Sequence, residues 1–160
     1  MADKTIQIKG LDEIRASFAN ADSLVARHGR SLLRDVSIYG VKQMQKNILS
    51  VGAVDTNELI QGIHYEIKNN FNGISSTIRP NDTADKYAWF MEAGTRPHWA
   101  PRDALQGWAD RHGIPVFLVQ KAIAEKGTKP RKYAERTFKE VKIKTDKEVP
   151  RFIDLVIKDL

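Results

Sequence analysis

The chain of 160 residues has no cysteine. That excludes a disulfide scaffold and thiolate metal sites, and it fits a reducing compartment or a particle assembled in one. No apolar stretch approaches the ~20 residues that span a bilayer. The segment Met1 to Lys9 lacks the apolar run of a secretory signal. A soluble protein, intracellular when made and without membrane contact, is the expectation. Low-complexity segments and long linkers are missing too, so one domain over 1–160 is expected, large enough to bury a core without cross-links.

Catalytic groupings are equally sparse. There is no G-x-x-x-x-G-K-[ST], no G-x-G-x-x-G and no G-x-S-x-G. The four histidines, His28, His64, His98 and His112, show no H-E-x-x-H or comparable metal spacing. Asp12 and Glu13 read as first-turn acids suited to a helix dipole. His98 beside Glu92 and Arg96 can be drawn as an acid–base pair of a toxin or nuclease, but a lone loop histidine is more often packed or hydrogen-bonded. The chain is therefore read as a non-enzyme, with no catalytic residue, metal or cofactor.

What the chain does have is positive charge in one place. From Lys121 to Arg151 there are 11 Lys and Arg against 5 Asp and Glu, a net +6 that equals the charge of the whole chain. Such a segment is either a solvated face of one or two helices or a surface for an acidic partner, nucleic acid or protein. Used alone, it gives affinity for nucleic acid without sequence reading.

Periodicity outlines the elements. Thr5–Lys9 alternates as a short strand, and Leu11 to about Ala21 is a first helical stretch. Asp22 or Ser23 can cap a long helix from about Leu24 to Leu49, with Val25, Leu32, Leu33, Val36, Tyr39, Met44 and Ile48 near one face. Gly29 and Gly40 fall close to one side of it, which predicts a close helix contact there. Asp55 or Thr56 can cap a short helix at 58–61. Ile63–Ile67 and Ile74–Arg79 alternate around Asn69-Asn-Phe-Asn-Gly73, a hairpin. Helices are expected at Arg102–His112, Val116–Lys126, Arg131–Lys142 and Glu148–Leu160, the last with Phe152, Leu155, Val156 and Leu160 as an apolar stripe. The fold class is α+β: a small antiparallel sheet, N-terminal strand plus hairpin, packed against a long helix, with further C-terminal helices.

The richest stretch is Tyr87-Ala-Trp-Phe-Met-Glu-Ala-Gly-Thr-Arg-Pro-His-Trp-Ala-Pro101. A helix carrying Tyr87, Trp89, Phe90 and Met91 stops at Gly94, and Pro97 forbids its resumption. Tyr87, Phe90 and Met91 share a face and read as core, although aromatics including Trp108 could also stack bases. Trp99, held between Pro97 and Pro101, reads as an interface anchor. Gly94-Thr-Arg-Pro97 has an echo 33 residues on, Gly127-Thr-Lys-Pro130. Either helix stops converge on Gly and Pro, or two similar loops face one partner surface. Two copies do not make a solenoid.

The order of Val54-Asp-Thr-Asn-Glu-Leu59, a hairpin, Tyr87 to His98, and Gly127-Thr-Lys-Pro-Arg131 before a final helix resembles the small neck and tail-completion proteins of long-tailed bacteriophages. The resemblance covers roughly residues 51–140. Asn57 stands where that family usually has Gly, and Asp103–Lys126 looks longer than in short members, a helical insertion at about 102–126. The resemblance implies a structural virion protein acting at the head–tail junction. It implies a homo-oligomeric ring of six copies, in contact with head-closure or adaptor proteins and with tail-tube or tail-terminator proteins. Double-stranded DNA would pass the lumen without sequence recognition, and the protein would be found in the host cytoplasm during assembly. The interface residues so implied are Glu92, Gly94, Thr95, Arg96, Pro97, His98, Trp99, Gly127, Thr128, Lys129, Pro130 and Arg131. In that role Arg96 and His98 present donors to a neighbour and Glu92 pairs with a cation such as Arg96 of the same or an adjacent subunit. The alternative is a small basic nucleic-acid-binding module using residues 121–151.

Overall fold

The computed structural model describes residues 19–70 and 73–160. The expected strand Thr5–Lys9, and nearly all of the helical stretch expected from Leu11, lie outside them. Within them the fold is α+β, with one two-stranded antiparallel sheet, a long helix before it and helices after it.

Helix α1 spans Ala21–Ser50. Its N-cap is Asn20, without a side-chain cap, and the Ser23 hydroxyl donates back to the Asn20 carbonyl at 2.8 Å. Asp22 and Ser23 therefore lie inside the first turn instead of preceding the helix as expected. Val36, Ser37, Gly40, Met44, Asn47 and Ile48 are buried, the i, i+4 spacing of one face. Val25 is left exposed at the far end.

After the turn at Gly52, helix α2 spans Glu58–Gly62. Asn57 precedes it with φ 63°, a left-handed conformation that Asn tolerates better than most residues. The Gly expected by resemblance at this position is thus replaced by the nearest substitute. Neither expected cap serves α2: the Asp55 carboxylate instead accepts from the Arg111 guanidinium, whose Nε lies 3.1 Å from each oxygen. That bond, ahead of its charge, holds the Asp55 carboxyl below its usual range.

Strands β1 (His64–Asn70) and β2 (Gly73–Arg79) pair in register from His64↔Arg79 to Asn70↔Gly73. One face of β2 lies on α1, where the Ser76 and Ser37 hydroxyls bond at 2.6 Å. Helix α3 (Asp82–Ala93) is capped by the Asn81 side chain, which accepts from the Ala84 N–H at 2.9 Å. Helices α4 (Arg102–Arg111) and α5 (Val116–Lys126), both expected from the sequence, pack against each other as a helical hairpin.

Helix α6 runs unbroken over Tyr133–Asp159, where two helices separated near residues 143–147 were expected. Lys142–Asp146 and Lys144–Glu148, each 2.8 Å apart at i, i+4, staple that stretch. Pro150 sits inside the helix and removes one backbone donor. Packing on α1 along the whole length compensates. The two run antiparallel: His28 meets Asp159, Gly29 faces Phe152, Gly40 faces Val141 and Asn47 meets Thr137. Of the expected C-terminal stripe, Phe152 and Val156 are half-buried, while Leu155 and Leu160 point outward.

The core gathers Met44, Ile48, Ala53, Leu59, Ile63, Ala84, Ala88 and Tyr133. A polar seam crosses it. Asn47 donates to the Thr137 hydroxyl and to Glu140, both at 3.0 Å, and the Tyr133 hydroxyl donates to the Ala88 carbonyl at 2.9 Å. Burial pushes the Tyr133 phenol up to about 12.

The two glycines of α1 are not equivalent. A Cβ on Gly29 would meet Phe152 at an ordinary 3.8 Å, whereas one on Gly40 would run into Ile78 from the sheet and Val141 from α6. Gly29→Ala is expected to raise stability by about 0.5–1 kcal/mol, the helix-propensity gain. Gly40→Leu is expected to lower it by about 1–3 kcal/mol through overpacking. Urea unfolding of the two variants checks the contrast, and equal effects would contradict the three-layer contact at Gly40.

Candidate functional site

The Gly-Thr-cation-Pro loops meet each other. Both helix ends adopt the same conformation, Gly94 at φ 69°, ψ −178° and Gly127 at φ 67°, ψ −163°. Side-chain-bearing residues rarely occupy that region. Turning there lays Thr95 and Thr128 side by side as an antiparallel bridge. The Thr95 N–H donates to the Thr128 carbonyl at 3.1 Å, and the Thr128 N–H returns to the Thr95 carbonyl at 3.2 Å. Their hydroxyls also bond, at 3.1 Å. Each loop then reaches the other helix: His98 N–H donates to Ile123 and Arg131 N–H to Met91. The Met91 and Glu92 carbonyls, orphaned at the end of α3, are thereby satisfied by Arg131 and Lys132, while the Ile123 carbonyl is shared between His98 and Gly127. The repeat is a clasp that closes the base of the α4–α5 excursion.

Glycine is required here for space as well as angle. A Cβ on Gly94 would strike the Thr128 carbonyl and Pro130, and one on Gly127 would strike the Thr95 carbonyl.

Glu92 completes the arrangement. Its two carboxylate oxygens accept from the N–H groups of Ala134 and Glu135, at 2.8 and 2.9 Å. Those are the second and third amides of α6, whose own N-cap, Lys132, supplies no capping side chain and holds φ 53°. Glu92 is thus an N-cap delivered from another helix, favoured by hydrogen bonding and by the helix dipole. Within the chain Glu92 makes this bond and no pair with Arg96, and the acid–base pair that can be drawn with His98 does not form. The His98 ring Nδ1 lies 2.9 Å from the carbonyl of Arg96.

The remaining expected residues form the outer face. Arg96, Pro97, His98, Trp99, Lys129 and Pro130 are exposed. Trp99 is 58% exposed and meets Phe117 of α5, also 58% exposed, with ring centroids 6.1 Å apart. Arg131 is tied inward to the Val51 carbonyl at 2.9 Å. Phe90, expected in the core, is 56% exposed, while its helix neighbours Tyr87 and Met91 pack against the core. The buried face of α3 centres on Ala84 and Ala88, which turns Phe90 and Trp89 outward. Phe117, which the sequence does not flag, belongs to this surface, as does Lys126 of the basic segment.

The basic segment splits in two. On α6, Lys132 and Lys139 lie near Glu135, Lys142 near Asp146, and Lys144 and Arg151 near Glu148. At the clasp, Arg96, Lys126 and Lys129 make no side-chain hydrogen bond or ion pair among the described residues.

No protein-family model, curated protein or solved structure matches the chain.

Gly94→Ala and Gly127→Ala are each expected to lower stability by about 1–3 kcal/mol. Because both open one clasp, the double variant should lose less than the sum. Additive losses in denaturant titrations would contradict a shared unit. Glu92→Ala should lower stability by about 1–3 kcal/mol and expose the Ala134 and Glu135 amides to exchange, whereas Glu92→Gln should retain part of the cap.

Proposed function

We propose that the protein is a structural virion component of a long-tailed bacteriophage or prophage, acting at the head–tail junction as a neck or tail-completion ring subunit. The observation that carries this reading is the clasp. Two of the landmarks on which the resemblance rests, at Glu92–His98 and at Gly127–Arg131, come together in one rigid unit. The unit holds a short, proline-stiffened loop with Arg96 and Trp99 facing outward, a composition suited to protein interfaces. In this reading the partners are further copies of the chain, six to a ring, together with head-closure or adaptor and tail-tube or tail-terminator proteins. DNA passes without sequence recognition.

The nucleic-acid-binding alternative draws less support. Most of the α6 cations pair with acids on the same helix, which suits a solvated face.

Electron microscopy of particles made with this gene deleted tests the proposal. DNA-filled heads beside complete, unattached tails are expected. Overlong or missing tails would move the role to tail termination, and normal infectious particles would overturn the virion reading. Trp99→Ala is expected to weaken incorporation into particles by about thirtyfold, the effect of losing an anchor worth ~2 kcal/mol.

A further inference from the structure

The cations of α6 and of the clasp differ in their surroundings. Along α6, Lys139, Lys142, Lys144 and Arg151 are matched at i, i+3 or i, i+4 by Glu135, Asp146 and Glu148, while Lys147 and Lys158 have no ion-pair partner among the described residues. At the clasp, Arg96, Lys126 and Lys129 are held close together by the Thr95–Thr128 bridge, and none of them has an ion-pair partner among the described residues. The glutamates that precede the two loops in sequence are engaged. Glu92 caps α6, and Glu125 lies 4.0 Å from Lys121. The bridge thus gathers three unpaired cations on two neighbouring loops, a self-repulsion that a bound anion would relieve.

The aromatic residues decide between anions. Trp99 and Phe117 lie with ring centroids 6.1 Å apart and planes tilted by 59°, both more than half exposed, and Trp99 follows Arg96 by three positions in the same loop. Phosphates of a duplex need cations and backbone donors, and a tilted aromatic pair contributes little to them. A protein surface uses both parts: aromatic and Arg anchors at the centre, charge at the rim. Pro97 and the clasp hydrogen bonds fix the loop in advance, so little conformational freedom remains to be lost on docking.

From this juxtaposition we infer that the clasp, through Arg96, Lys126, Lys129 and the Trp99–Phe117 pair, docks an acid-rich protein segment that carries an aromatic or aliphatic side chain among its carboxylates. The apolar side chain packs on Trp99 and Phe117, and the carboxylates meet the cations. The inference deepens the junction reading by naming the chemistry of the partner at this surface.

Calorimetric titration of the full chain with a Glu–Tyr random copolymer, with poly-glutamate and with a short mixed-sequence DNA duplex tests it. The copolymer is expected to bind more tightly than poly-glutamate or the duplex. Raising salt from about 0.1 M to 1 M cuts the screening length from about 10 Å to 3 Å and should weaken binding about tenfold. Arg96→Glu and Trp99→Ala should each weaken it about tenfold, whereas Lys147→Glu, the same charge change on α6, should not. Circular dichroism of each variant establishes that it is folded, and Trp99→Phe should retain most of the binding. Absence of copolymer binding, equal loss in Lys147→Glu, or tighter binding of the duplex would each overturn the inference. So would self-association that Trp99→Ala abolishes, since a second copy would then cover the aromatic pair. Failure here with unattached tails in the deletion particles leaves the junction reading in place. Normal deletion particles overturn that reading whatever the copolymer does.

Discussion

Two backbone hydrogen bonds between Thr95 and Thr128 fix more of this structure than their own strength implies. Each contributes on the order of 1 kcal/mol. Their position multiplies the effect, because the bridge sets where α3 ends, where α5 ends and where α6 begins. With the loops apart, Arg131 and Lys132 could not reach the last carbonyls of α3, and Glu92 could not reach the first amides of α6. The aromatic pair at Trp99 and Phe117 depends on the same closure, since one ring sits on the loop and the other on α5.

The long helices provide the frame on which that closure rests. Helix α1 carries the hairpin on one side and α6 on the other, and Gly40 lets both approach. The Asn47–Thr137–Tyr133 seam locks the α1–α6 register in the stretch next to the clasp. Because Tyr133 also bonds to Ala88, α3 is held to the start of α6 by a buried hydroxyl as well as by the Glu92 cap. The clasp thus sits on a base with few alternative packings, and its exposed side chains are presented by a stiff support.

How much of this was legible in the sequence depends on the range of the interaction involved. Local signals read well. Alternation placed the hairpin strands, Gly94 and Gly127 ended their helices, and Val116–Lys126 appeared with its boundaries. Signals that compete with tertiary packing did not. Asp22 and Asp55 have the chemistry of caps, but Asp22 falls inside α1 and Asp55 is claimed by Arg111, 56 positions away. Helix α6 continues through Lys144–Lys147 because α1 and the lysine–carboxylate staples support it. At the candidate site, the repeat was visible, but its pairing was not, since two similar motifs do not announce that they face each other. The role of Glu92 was hidden for the same reason: a cap supplied from 42 residues away leaves no local pattern.

The most direct measurement is native-state amide hydrogen exchange at Thr95 and Thr128. If the clasp holds the helix ends together, both amides are protected and open with one free energy, and Gly127→Ala releases them together with Ala134 and Glu135. Exchange of Thr95 and Thr128 at the rates of free loops, with α6 still protected at its first turn, would contradict the account.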